Sequence, residues 1–198
     1  MALSQQYLTP QQYLEIERGN DFRSEYIDGV MVAMAGPSPR HNYITTKLTK
    51  HLDNALENKP CTTLNSNQMI WAPGDSHLFS DIVVFCGEGE FVNGILVNPT
   101  VVMEVLSPST ESRDRGIKLL KYRKITSLRH YVLVSQNEPY IEVLTRENDD
   151  SQWSRQEAKG MEAQIVLPSI DVTQALSDIY KGYLNFPMTE PQPSPSAG

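Results

Sequence analysis

The chain has 198 residues, of which 39% are hydrophobic and 21% are charged, a balance typical of globular rather than disordered proteins. This length suits one domain with extensions or two small domains. The formal net charge is -7, which argues against a protein that coats nucleic acid through bulk charge. That total stays compatible with a local basic groove.

The cysteines and the hydropathy pattern bear on the cellular setting. Cys61 and Cys86 form no CxxC pair and no dense Cys/His cluster, so a zinc ribbon or a disulfide scaffold is not expected. The first residues lack the basic and then apolar pattern of a signal peptide, and no apolar run reaches the length of a membrane span. We therefore expect a reduced, cytoplasmic setting without a membrane partner.

The first part of the chain predicts a short helix, a hairpin and a longer helix. Pro10 suits the first turn of a helix over residues 10–18. Alternating apolar residues around Asp28-Gly29 predict a β-hairpin, and Ser38-Pro39 predicts an N-cap with proline in the first helical turn. Apolar residues then recur at helical spacing as far as residue 58, at Ile44, Leu48, Leu52, Ala55 and Leu56.

The middle of the chain predicts strands, interrupted by one helix over residues 113–125. Two of the strands are short and rich in β-branched residues, as in the buried centre of a sheet. In chain order, the predicted strands cover residues 61–72, 80–85, 100–106, 130–136 and 140–146. The order of helix, three strands, helix and two strands predicts an α/β core with a mixed sheet.

The last part of the chain is less regular. The charged residues 147–160 predict an exposed loop or sheet edge, and residues 171–184 predict a final helix. Residues 186–198 contain four prolines and little to bury, which predicts a disordered tail. We therefore expect a single domain over residues 1–185.

Two acidic residues stand where the strand pattern asks for apolar ones. Asp81 opens the segment DIVVF, and Glu104 lies inside VVMEVL. An ionised carboxylate is costly to bury unless it is paired or binds a metal. Two such acids on neighbouring strands suit Mg²⁺, which takes one or two carboxylates and keeps several waters. The alternative is that Glu104 faces solvent from an edge strand or pairs with an arginine.

The helix that follows Glu104 carries two lysines near its apolar side. At 100° per residue, Lys121 lies between Ile117 and Ile125, and Lys118 lies beside them with Tyr122 on its other flank. A lysine that faces the acids could steady a water nucleophile or the charge that builds on a phosphate. The alternative is a lysine whose stem covers apolar surface while its ammonium reaches water.

The charges are unevenly distributed along the chain. Residues 113–129 contain seven basic residues and one acid, Asp114, so this segment carries +6 and the remainder must carry -13 to reach the total of -7. A local basic patch beside a two-acid site is what phosphodiester cleavage would use, although a solvated helix face explains the same pattern. Basic residues of this segment that could hold DNA are Arg113, Arg115, Lys121, Arg123 and Lys124.

Two further residues could lie near such a site. His41 shares the inner face of the long helix near its N-terminus, where a lone histidine is more often a satisfied core residue than a catalyst. Glu25 precedes the predicted hairpin, and the sequence gives no geometry for it. Ser107 and Ser109 lie outside any GxSxG setting and indicate a turn that enters a helix.

Four blocks in order resemble the Uma family of bacterial restriction endonucleases, which have the PD-(D/E)XK nuclease fold. The blocks are EYIDGVMVAMAGPSPRHNYI, FSDIVVF, VVMEVLSPSTESRDRGIKLLKYRKI and LRHYVLVSQ. The resemblance covers residues 22–146, and four ordered blocks are far more specific than one motif. It implies a restriction endonuclease-like αβββαβ core, with a central mixed sheet flanked by helices, and a magnesium-dependent phosphodiesterase site.

The resemblance also implies roles for individual residues. Asp81 matches the aspartate of the PD element, Glu104 matches the acid of the (D/E)XK element, and Lys118 matches a lysine of the following helix in K-x-x-x-Y spacing. His41 and Glu25 match family positions of less defined role. The chain departs from the pattern at Ser80, which replaces the proline of PD, and at Leu106, which replaces the lysine of (D/E)XK.

The hypothesis from the sequence is a Mg²⁺-dependent endonuclease of DNA. Asp81, Glu104 and the carbonyl of Val105 would hold Mg²⁺, or Mn²⁺ as a substitute, and Lys118 would act on the water or the phosphate, with Lys121 as the second choice. No organic cofactor is expected, and cutting both strands with one site per chain suggests a homodimer. The alternatives are a non-catalytic module that binds DNA or a protein partner, and a hydrolase of another phosphoester.

Overall fold

The computed structural model describes residues 7–34, 36–146 and 152–189. A π-helical turn, Asp114–Lys118, joins two short helices into one helical segment. The α-helices are α1 (Pro10–Gly19), α2 (Pro39–Leu56), α3 (Glu111–Arg113), α4 (Leu119–Tyr122) and α5 (Leu176–Tyr180). Short 3-10 turns cover Pro168–Ile170 and Tyr183–Asn185.

The strands follow one another closely between the helices. In chain order they are β1 (Ser24–Ile27), β2 (Val30–Ala33), β3 (Cys61–Asn65), β4 (Met69–Ala72), β5 (Ser76–Phe79), β6 (Ile82–Cys86), β7 (Phe91–Val92), β8 (Ile95–Leu96), β9 (Val101–Leu106), β10 (His130–Ser135), β11 (Tyr140–Arg146), β12 (Trp153–Lys159), β13 (Gln164–Leu167) and β14 (Val172–Ala175).

The described strands form two six-stranded sheets and a separate hairpin of β13 and β14. The first sheet has the order β2-β1-β5-β4-β8-β7, and the second has the order β12-β11-β10-β9-β6-β3. In the second sheet β9 and β10 run parallel, whereas the other neighbours are antiparallel. This is the predicted mixed sheet, and α2, β3, β6, β9, the α3–α4 segment and β10 supply the predicted αβββαβ order.

The alternation of side chains along the second sheet produces two hydrophobic clusters. Met103 and Val105 of β9 pack with α2, α5 and the β13–β14 hairpin. Val102 and Leu106 point to the other face, where they pack with Tyr122 of the helical segment and with residues of the first sheet. Glu104 shares the parity of Val102 and Leu106, so the strand directs its carboxylate between the helical segment and the first sheet.

The predicted starts of α1 and α2 and the first hairpin are confirmed. Thr9 and Gln12 form a capping box at α1, and the Ser38 hydroxyl accepts the N–H of His41 at 3.1 Å at the start of α2. β1 and β2 pair around the turn at Asp28-Gly29. These local signals succeed because each satisfies backbone groups within a few residues.

Two predicted elements are wrong in their extent. The single strand predicted over 61–72 is two strands in different sheets, because the chain turns where the Asn65 side chain accepts the N–H of Asn67 at 3.0 Å. The helix predicted over 171–184 begins only at Leu176. The preceding β14 pairs with β13, and it alternates buried and exposed residues in the manner of a strand.

The predictions for residues 147–160 and 186–198 agree only in part with the structure. Part of the charged stretch 147–160 is the edge strand β12, whereas residues 147–151 lie outside the described ranges. The predicted disorder of 186–198 also falls mostly outside them. At its start, Phe186 stacks on Tyr43 with ring centroids 4.5 Å apart, and its carbonyl accepts a hydrogen bond from Arg40 Nε at 2.8 Å.

The expectation of two reduced cysteines is corrected by the sheet register. Cys61 of β3 lies directly opposite Cys86 of β6, and the two form a disulfide with their Cα atoms 3.9 Å apart. Their separation of 25 residues concealed this pairing, because strand register cannot be read from the sequence interval. Among the described residues, no helix has the length and apolar content that a membrane span needs.

Candidate active site

Strands β6 and β9 bring the two predicted acids together. Ile82 pairs with Met103, so Asp81, one residue ahead of β6, comes opposite Glu104. The Val105 N–H donates to Asp81 Oδ2 at 2.7 Å, which fixes that carboxylate at the end of the strand pair. The Asp81 side chain keeps 19% of its surface exposed, whereas Glu104 is only 4% exposed. One acid therefore faces the opening of the site and the other its interior.

Lys118 enters this interior from the π-helical turn. Its Nζ lies 2.8 Å from Glu104 Oε1, 2.9 Å from Glu25 Oε1 and 3.4 Å from Asp114 Oδ1. It also donates to the carbonyl of Phe79 at 2.8 Å. We call Glu25, Glu104, Asp114 and Lys118 the Lys118 cluster, in which a single ammonium meets three carboxylates and each residue is at most 4% exposed.

The local backbone explains why Asp114 and Lys118 point the same way. They are four residues apart and bracket the π-helical turn that contains Gly116. Single π-turns within α-helices are frequent at functional sites. The hydroxyl of Tyr131 donates to the Asp114 carbonyl at 2.9 Å, which satisfies a backbone acceptor at the start of this turn.

Burial and charge shift the pKa values within the Lys118 cluster. Burial raises the pKa of Glu104 well above the usual glutamate value, while Lys118 opposes this shift and Asp114 adds to it. Burial also raises the pKa of Asp114. For Lys118, burial alone would lower the pKa, but the charges of Glu104 and Glu25 outweigh it and raise that pKa well above its usual value. Lys118 is therefore an ammonium ion at neutral pH.

His41 reaches the opening of the site from the N-terminus of α2. Its Nε2 lies 3.1 Å from Asp81 Oδ2, and its Nδ1 lies 3.5 Å from the hydroxyl of Thr45. Burial lowers the pKa of His41, but the hydrogen bond and charge of Asp81 and hydrogen bonding to the Val105 backbone give a net increase. His41 is thus buried, but it is more than a core packing residue, because its hydrogen-bond partner is Asp81, the predicted metal ligand.

Lys121 does not reach the Lys118 cluster. It forms an ion pair with Asp28, whose side chain is 58% exposed in the β1–β2 turn. Lys118, one turn earlier in the helix, is the lysine that contacts Glu104. The geometry therefore favours Lys118 over Lys121 as the functional lysine.

Acidic side chains, near and distant in the sequence, compensate part of the predicted basic patch. Arg113 lies 3.4 Å from Glu25, and Arg115 contacts Glu111 and Glu142 at 2.8 and 2.9 Å. Further along the segment, the Arg123 guanidinium stacks over the Trp153 ring, and the Lys124 ammonium lies beside Gly74. The +6 segment is therefore not a bare cationic surface, and DNA contact by these residues stays a prediction.

A divalent cation at Asp81 and Glu104 would have two carboxylate ligands from side chains. Within the described residues, no three side chains of His, Cys, Asp or Glu are grouped closely enough to hold a metal ion. Two carboxylates with waters still suit Mg²⁺. Glu104 Oε1 is buried and, beyond its ion pair with Lys118, makes no hydrogen bond of ordinary geometry. These residues fit a Mg²⁺ site of two carboxylates, with the Val105 carbonyl at the same place on β9.

Asp114 is the residue that the sequence did not single out. It is the one acid among seven basic residues, and nothing in the sequence indicated that it is buried. Its spacing of four from Lys118 did indicate that the two side chains lie on the same side of a helix. Glu25 was named without a position. It reaches the site because β1 pairs with β5, the strand that ends at Phe79.

The αβββαβ order, with an acid on each of two neighbouring strands and a lysine on the next helix, defines a restriction endonuclease-like fold. The profile of the Uma2 family, described as "Putative restriction endonuclease", matches residues 10–177, so the chain belongs to this family.

Relatives and a solved structure agree with this assignment. The uncharacterized Synechocystis proteins slr1290 and sll1609 are 33% and 30% identical over 88% and 80% of the chain, and the matches cover 92% and 91% of those proteins. A crystal structure of a putative nuclease belonging to DUF820 from Anabaena variabilis superposes with a TM-score of 0.73. At 19% identity, it covers 89% of this chain and 99% of its own, and it supports the fold.

Proposed function

We propose that the chain is a Mg²⁺-dependent endonuclease that hydrolyses DNA phosphodiester bonds at Asp81 and Glu104. The observation that carries the proposal is the pairing of β6 and β9, which sets the partly exposed carboxylate of Asp81 opposite the buried carboxylate of Glu104. Membership of the Uma2 family supports the same reaction class. Mn²⁺ would serve as a substitute, and a cytoplasmic setting and a homodimer belong to this proposal.

The charges of the site support a divalent cation. When every carboxylate is ionised, Asp81 and the three acids of the Lys118 cluster carry four negative charges, and Lys118 and Arg113 supply two positive ones. One divalent cation would balance the remainder. Held by Asp81, Glu104 and the Val105 carbonyl, Mg²⁺ would supply a water of lowered pKa and charge stabilisation for the phosphate.

The side chains of the chain would carry the remaining steps. Asp81 keeps its orientation through the Val105 N–H and His41, so it can hold its ligand position without a change of rotamer. The Lys118 ammonium, 2.8 Å from Glu104, lies where it can orient a water or stabilise charge that develops on the phosphate oxygens. His41 can hold or release a proton at Nε2 beside Asp81.

The experiment is cleavage of supercoiled plasmid DNA by the purified chain with and without Mg²⁺. We expect metal-dependent nicking by the parent and its loss in Asp81→Ala and Glu104→Ala. Glu142→Gln is the matched control, because Glu142 is equally buried in the same sheet but lies outside the site. Cleavage by either alanine variant at the parental rate would reject the site.

A second candidate is a non-catalytic module that binds DNA or a protein partner. The compensated charges of Arg113, Arg115 and Lys121 favour it, since they leave less free cationic surface for a substrate. This candidate predicts no cleavage with Mg²⁺ or Mn²⁺ and no rise in thermal stability with either ion. Screening RNA and nucleotide phosphoesters with the same variants would separate a DNA nuclease from another phosphoesterase.

A further inference from the structure

Lys118 has more oxygen partners than it has protons to donate. An ammonium carries three N–H donors. Four oxygens surround it, those of Glu25, Glu104, Asp114 and the Phe79 carbonyl, at 2.8 to 3.4 Å. The three donors cannot serve all four oxygens at once, and Glu104 Oε1 has no partner among the described residues other than Lys118. The ammonium can keep three acceptors without Glu104.

We propose that Glu25 and Asp114 are positioning residues, which hold the Lys118 ammonium in place while Glu104 is a metal ligand. The proposal rests on the proposed function at Asp81 and Glu104. The Lys118 ammonium contacts Glu104, but its other three oxygen partners can hold it without that contact. The lysine would therefore stay beside the reacting phosphate if Glu104 held a cation.

Glu25 is held by groups other than Lys118. Its Oε1 accepts the N–H of Phe79 at 3.1 Å, and Arg113 approaches its Oε2 at 3.4 Å. Phe79 thus fixes both members of the ion pair, because its N–H binds Glu25 and its carbonyl binds Lys118. Glu25 is a rigid anchor on β1 that would keep its place if Glu104 were withdrawn.

Asp114 supplies a second anchor from Lys118's own helical segment. The two lie on opposite ends of the π-helical turn, and a hydrogen bond from Thr110 holds the Asp114 side chain. Tyr131 binds the Asp114 carbonyl from β10. The π-helical turn and β10 therefore hold in place the Asp114 carboxylate that contacts the Lys118 ammonium.

The first test needs no enzymatic activity. In ¹⁵N-labelled full-length chain, the buried and hydrogen-bonded Lys118 ammonium should give a slowly exchanging NH₃⁺ signal, assigned by its loss in Lys118→Met. We expect this signal in the parent and in Glu142→Gln, and its loss in the double variant Glu25→Gln/Asp114→Asn. Where the double variant is unfolded, the two single variants are compared. An unchanged signal in folded variants would overturn the proposal.

The second test separates positioning from metal binding. Glu25→Gln and Asp114→Asn should lower kcat for plasmid nicking by about 10- to 100-fold, as removal of residues that support a ligand shell does. KM should be unchanged, and Mn²⁺ binding by calorimetry should be retained. Loss of Mn²⁺ binding in either variant would make that residue a ligand and overturn its positioning role. If the parent itself neither binds Mn²⁺ nor cuts DNA, the proposed function fails, and the NMR signal still decides the role of the two acids.

Discussion

Two buried glutamates of the second sheet lie in one row but in opposite electrostatic settings. Leu133 of β10 pairs with Glu104 on one side and with Glu142 on the other. Glu142 contacts two guanidinium groups, Arg115 and Arg155, and the Arg155 side chain is 55% exposed. Glu104 shares one fully buried ammonium with two other carboxylates.

Burial of an acid does not by itself indicate a functional site. Glu142 has more than enough positive charge, and water reaches its partners, which is the expected state of a structural ion pair. Glu104 has too little positive charge nearby and no access to water, so its ionised form costs free energy unless a further cation is bound. Such a local excess of buried negative charge marks a candidate metal site.

Removal of the shared ammonium should have the largest effect. Lys118→Met leaves three carboxylates facing one another without their cation. Breaking a buried ion pair from one side costs about 3–5 kcal/mol, so we expect a loss of this size in the free energy of unfolding, measured with urea. A loss under about 1 kcal/mol, typical of exposed pairs, would show that water already compensates the cluster.

Titration of stability with pH should distinguish Glu104 from the rest of the protein. The pKa of Glu104 is raised in the folded chain, so the native state binds more protons than the unfolded state above the usual glutamate pKa. This contribution is present at low pH and is lost as pH rises. As pH rises above the usual glutamate pKa, the parent should therefore lose more stability than Glu104→Gln. Parallel curves for the two proteins would contradict the raised pKa.

Lys121→Met should give the smallest effect. Lys121 is as buried as Lys118, but its partner Asp28 is largely exposed and can be solvated by water. We expect a loss of about 1 kcal/mol in the free energy of unfolding and unchanged metal-dependent nicking. Loss of nicking in Lys121→Met, with the fold intact by circular dichroism, would return this lysine to the site.

The sequence predicted those parts of the site that depend on local patterns. Asp81 and Glu104 stood out because each interrupts an apolar strand, and Lys118 stood out from its place on a helical wheel and its match to the family. The α/β core with a mixed sheet followed from the same patterns, and the resemblance to the family implied its αβββαβ order. Each of these predictions depends on neighbouring residues within a single strand or a single helix.

The remaining features depend on contacts between distant segments. Glu25 joins the site only because β1 pairs with β5, and acids far away in the sequence lie beside Arg113 and Arg115. The strand β14 overrides a helical pattern because β13 pairs with it. The Cys61–Cys86 bond likewise follows from strand register, which no spacing in the sequence specifies.

The most direct measurement is calorimetric titration of the metal-free chain with Mn²⁺, for the parent, Glu104→Gln and Glu142→Gln. We predict one Mn²⁺ site in the parent and in Glu142→Gln, and no binding to Glu104→Gln. The two variants remove the same charge from equally buried positions of one sheet, so a difference between them would locate the metal site. Equal binding by all three proteins, or loss of binding in Glu142→Gln alone, would contradict a metal site at Asp81 and Glu104.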